Sequence, residues 1–106
     1  MKRAMLALLL VTTTTMADEK CDVIESGARF VMEMRQSGTS MRKFVDAVQA
    51  RSDEEPDNKE AEVLGKWYKS FAELAWSKPL YSTEQMKQRA INEFADEFYL
   101  TCRKSK

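Results

Sequence analysis

Cys21 and Cys102 are the only cysteines in a chain of 106 residues, and they stand close to its two ends. A bond between them would close a loop of about 80 residues, worth roughly 4.5 kcal/mol in the chain-entropy treatment of cross-links. That rivals much of the net stability of a small domain. Their redox state therefore constrains the fold more than any other feature. Two thiols without a single His are too few for a structural zinc site. No C-x-x-C spacing makes them a reactive redox pair. A structural disulfide is the reading left, and it requires an oxidising compartment.

The first residues supply that compartment. Lys2 and Arg3 form a positive entry end, and Ala4 to Val11 is an unbroken apolar run of eight. Thr12 to Thr15 is polar, and Thr15-Met16-Ala17 sets small residues three and one positions before the next bond. This is the layout of a secretory signal peptide cut after Ala17. The apolar run is too short to span a bilayer, which takes about 20 residues. Cys21 follows Asp18-Glu19-Lys20, not the small apolar residues of a lipoprotein site. The expectation is a signal peptide at 1–17 and a single mature domain at 18–106, periplasmic or secreted. With Lys2 and Arg3 gone, acidic residues outnumber basic ones by two.

Charge balance narrows the function. Seventeen basic residues face seventeen acidic ones in the full chain, whereas nucleic-acid binders carry a basic excess. No nucleic-acid partner is expected, and no stable membrane insertion after cleavage. The absence of His removes the commonest general base and metal ligand. Three Gly and two Pro are too few for a small all-β domain.

Apolar periodicity predicts helices throughout. The first runs from about Asp22 to Gln36, with Ile24, Ala28 and Val31 on one face, and stops at Ser37-Gly38. Thr39 or Ser40 caps a second, about Met41 to Ala50, with the stripe Met41, Phe44, Val45, Val48. Arg51 to Asn58 reads as the main surface loop, being acidic and holding Pro56. A third helix spans about Lys59 to Trp76, with Leu64, Trp67, Tyr68, Phe71, Leu74 and Ala75 as its buried stripe. Ser77-Lys78-Pro79 ends it. Ser82 caps the last helix, with Gln85 completing a capping box and Tyr81 and Met86 a hydrophobic staple. Ile91, Phe94, Phe98 and Cys102 share its face. The fold class is all-α: a small four-helix domain with one disulfide joining the first and last helices. The expected core is Ile24, Val31, Phe44, Val48, Leu64, Trp67, Phe71, Ile91, Phe94 and Phe98.

The constellations that could carry chemistry resolve into structural roles. Ser40-Met41-Arg42-Lys43 has the S-x-x-K spacing of a serine nucleophile, but its partner motifs are absent and Ser40 suits a helix cap. Asp53, Glu54, Glu55 and Asp57 lack the glycine and the twelfth-position glutamate of an EF-hand. Met32 and Met34 lie about 200° apart on a helix and cannot converge on a metal. No catalytic residue, metal ligand or cofactor site is assigned. Trp67 and Tyr68 read as core. Trp76 and Tyr81 flank Pro79, and exposed Trp and Tyr are favoured interface anchors. Trp76, Pro79 and Tyr81 are the candidate partner-binding residues, with plain packing as the alternative.

The stretch Pro79-Leu80-Tyr81-Ser82-Thr83-Glu84, followed by Ala90-Ile91, Glu93-Phe94 and Cys102, resembles a family of small exported proteins of bacteria and their phages. The resemblance extends to an early Cys and a first helix ending in Arg35-Gln36-Ser37-Gly38, and spans about residues 21–102. It implies export, a helical fold and the same Cys21–Cys102 bridge. It supplies no activity, because the family has no established one. Together these readings point to a non-catalytic protein-binding module or modulator whose partner is a cell-envelope protein. The alternative is a small-ligand carrier or periplasmic stress chaperone. An enzyme ranks last, since no nucleophile–base set survives inspection.

Overall fold

A computed structural model describes residues 15–105; the apolar run and the basic entry end of the expected signal peptide lie outside them. Four helices follow in order: α1 (Thr15–Gln36), α2 (Met41–Glu54), α3 (Lys59–Ala75) and α4 (Glu84–Lys104). Strands are absent among the described residues. α1 packs along α4, α2 pairs with α3, and α3 lies against α1.

The disulfide is present. Cys21 and Cys102 are bonded with Cα atoms 5.6 Å apart, and Cys21 is fully buried. It ties α1 to the last turns of α4. No described helix is long and apolar enough to cross a membrane.

Helix ends follow local chemistry. α1 stops in a Schellman turn: Gly38 takes φ of 90°, Thr39 N–H reaches Met34 O at 3.2 Å and Gly38 N–H reaches Arg35 O at 3.1 Å. Ser40 caps α2 through Lys43 N–H, and Asn58 caps α3 through Ala61 N–H. Three boundaries differ from expectation. α1 begins at Thr15, not Asp22, and runs through the Ala17–Asp18 bond. α2 runs on to Glu54, so Arg51 to Glu54 are helical and the loop shrinks to 55–58. Arg51 and Glu54 are good helix formers, and Gln49 Nε2 donates to Asp53 Oδ1 one turn on at 3.0 Å. The true stop is Glu55, whose backbone leaves the helical region before Pro56. Thr83, not Ser82, caps α4 by accepting from Met86 N–H at 3.2 Å. The Ser82–Gln85 capping box and the Tyr81–Met86 staple are therefore out of register by one residue.

The core joins Ala28, Val31 and Met32 of α1 to Phe44 of α2, Phe71, Ala72 and Ala75 of α3, and Ile91 and Phe94 of α4. Burying each large side chain contributes about 1.5–3 kcal/mol. Phe71 is central, with its ring 4.6 Å from that of Phe98 and edge-on to it. Ile24, Val48 and Phe98 pack on the rim. Leu64 and Trp67 do not belong to the core: they are 44% and 43% exposed. Leu74 is exposed as well. The buried side of α3 is instead Gly65, Phe71, Ala72 and Ala75. Small residues there let helices approach closely. A Cβ on Gly65 would stand 2.9 Å from Ser52 Oγ, and one on Gly27 would stand 3.3 Å from both Phe71 and Tyr68.

Candidate functional site

The loop between α3 and α4 is held by the end of α1, and one side chain does most of the holding. Gln36 is only 2% exposed, yet it carries an amide with two donors and an acceptor. Its Nε2 donates to Pro79 O at 2.8 Å. Its Oε1 accepts from Tyr81 N–H at 3.0 Å. The two bonds mimic one rung of a β-ladder and fix the backbone on both sides of Leu80.

Neighbours complete the clamp. The guanidinium of Arg35 donates to Lys78 O through Nε and Nη2, at 3.2 and 3.0 Å. Lys87 Nζ, from α4, donates to the backbone carbonyl of Gln36 at 2.9 Å. That carbonyl lies in the last turn of α1, where a cation is favoured. A buried amide satisfied on both sides rigidifies its surroundings, and half-satisfied it would be costly.

The three candidate partner-binding residues part company here. Trp76 is committed inward: its ring stacks on Phe44 at 5.6 Å and its indole N–H donates to Thr39 O at 3.0 Å. Pro79 is exposed, with its carbonyl taken by Gln36. Tyr81 is half-buried, with its backbone held and its side chain on the wall of a groove. Leu80 and Met86, neither of them among the partner-binding residues expected, are the large apolar side chains exposed on and beside this loop.

The groove has a volume of about 360 Å³. Met32, Met86, Ala90 and Phe94 supply its apolar surface, and Lys78, Tyr81, Arg89, Glu93 and Glu97 its polar one. Arg89 pairs with Glu93 at 3.2 Å with both side chains largely exposed, which contributes little stability. Its charges thus remain open to a partner.

Sequence reading missed Gln36, the residue that organises the site. The segments Arg35-Gln36-Ser37-Gly38 and Pro79-Leu80-Tyr81 are the two halves of one clamp. Ser40 serves as a cap, accepting from Lys43 N–H at 3.2 Å. Asp53 and Glu54 sit on α2 and not in a loop. Among the described residues, no group of three or more His, Cys, Asp or Glu side chains could hold a metal ion. Comparison with protein-family models, with curated proteins and with solved structures finds no match for this chain.

Proposed function

We propose that the chain is an exported, non-catalytic binding module that engages a protein of the cell envelope through the Pro79–Tyr81 loop and the adjoining groove. One observation carries this reading: a loop clamped by a buried glutamine displays apolar side chains, Leu80 above all, instead of burying them. A recognition surface ordered before binding loses less entropy on association. Aromatic and apolar anchors at the centre of such surfaces carry most of the affinity. Export is supported by the leader layout and by a disulfide that persists in oxidising compartments. A carrier would draw on the same groove. Its walls mix two cations and two carboxylates with apolar groups, which suits a polypeptide better than an apolar small molecule.

The test places a photoreactive side chain at Leu80, or at exposed Glu54 as a control, in the protein expressed in its own host. A single envelope protein should crosslink at position 80 and not at 54. Changing Leu80 and Tyr81 to Ala should abolish that crosslink, now formed from position 86, with helicity unchanged. Equal labelling from both positions, or binding that survives the double change, overturns the assignment. Trp76 is left intact because its loss would disturb the core.

A further inference from the structure

The groove beside the clamp holds two thioethers in opposite situations. Met32 lies on its floor, fully buried, and its Sδ accepts from Gln36 Nε2 at 3.6 Å. Met86 lies on its wall and is 48% exposed. Met34 and Met41 are partly buried against the core. Among the methionines whose side chains are described, Met86 is therefore the one an oxidant reaches first. Its place in α4 is secured by the backbone, through Met86 N–H to Thr83 Oγ1 at 3.2 Å, so chemistry at the sulfur leaves the helix start intact.

We propose that Met86 is a reversible oxidation site for peroxides, and that its sulfoxide weakens the contact made through this groove. The step is an oxygen transfer. A lone pair of Met86 Sδ attacks one peroxide oxygen, an S–O bond forms as the O–O bond breaks, and hydrogen peroxide leaves as water. The sulfur is oxidised and the peroxide reduced, and methionine sulfoxide reductases reverse the change. An apolar, flexible side chain becomes a polar one with a strong acceptor oxygen. Donors for that oxygen are at hand, since Lys78 and Arg89 line the same groove. An apolar group beside exposed Leu80 is thereby turned into a polar one drawn to the groove's own cations. The same change at Met32 would put a polar oxygen into the core beside the clamp, and burial shields that sulfur. The oxidation site stands on the contrast between these two sulfurs; its effect on binding rests on the contact surface proposed above.

Hydrogen peroxide on the disulfide-bonded protein, followed by peptide mapping in a mass spectrometer, should add an oxygen to Met86 at least about 10-fold faster than to Met32. Met34 and Met41 should fall between them. Helicity should be unchanged, and the two classes of methionine sulfoxide reductase, one for each epimer, should together remove the oxygen. In the host, with the photoreactive side chain at position 80, peroxide should lower the crosslink by at least about 5-fold. Met86→Leu, compared with its own untreated level, should lose nothing on the same treatment. Met86→Gln should show the weakened crosslink without peroxide. Oxidation of Met86 no faster than that of Met34 and Met41 overturns the site. A Met86→Leu protein as sensitive to peroxide as the unaltered one overturns the effect on binding. If position 80 crosslinks to nothing in untreated cells, the proposed contact surface falls and the effect on binding with it, while the peptide map still decides the site.

Discussion

The α1–α4 pair is fastened at both ends, and by opposite means. At the start of α1 the fastening is covalent, between Cys21 and Cys102. At its other end Gln36, Arg35 and Lys87 hold the α3–α4 loop and α4 by hydrogen bonds. A disulfide acts largely by restricting the unfolded chain, so it stabilises wherever its geometry fits. The clamp acts only in the folded state and fixes one conformation of one loop. The first gives a small domain its stability. The second gives it a shaped surface.

The largest effect expected is at the covalent end. Replacing Cys21 and Cys102 together by Ser should cost about 2–5 kcal/mol in chemical denaturation. A loss below about 1 kcal/mol would mean that the helices alone supply the stability. Next comes the clamp. Gln36→Ala leaves Tyr81 N–H and Pro79 O without their partner and should cost about 2–3 kcal/mol. Gln36→Glu should be no milder, because a carboxylate cannot donate to Pro79 O. If it behaves as wild type, the Nε2 bond does not matter. The smallest effect belongs to the displayed residue. Leu80→Ala should change stability by no more than about 0.5 kcal/mol, since the side chain is exposed. A larger loss would make Leu80 a packing residue and remove it from the proposed contact surface.

The two ends also differed in how plainly the sequence announced them. Two cysteines have one possible pairing, so the bridge was legible from the cysteine count and the expectation of export. The four helices were legible from periodicity, and the cap at Ser40 and the stop at Gly38 from local chemistry. Gln36 was not. A polar residue in the last turn of a helix reads as a solvated end, and only the loop folded over it buries it. α3 failed for a related reason. Its large apolar residues, Leu64, Trp67 and Leu74, outweighed Gly65, Ala72 and Ala75 in any hydrophobic pattern, yet close packing selected the small ones. Leu64, Trp67 and Leu74 were thus turned away from the core, and Phe71 entered it. The Ser82–Thr83 choice was lost to a near tie between adjacent hydroxyls.

The central claim is that the Pro79–Tyr81 loop is ordered in the free protein by Gln36. Amide hydrogen exchange at Tyr81 measures this directly. Held by Gln36 Oε1, the Tyr81 amide should exchange at least about 10-fold more slowly than an open loop amide. In Gln36→Ala that protection should vanish, while core amides such as that of Phe94 stay slow. A Tyr81 amide that exchanges freely in the unaltered protein would contradict the clamp and the preformed surface built on it.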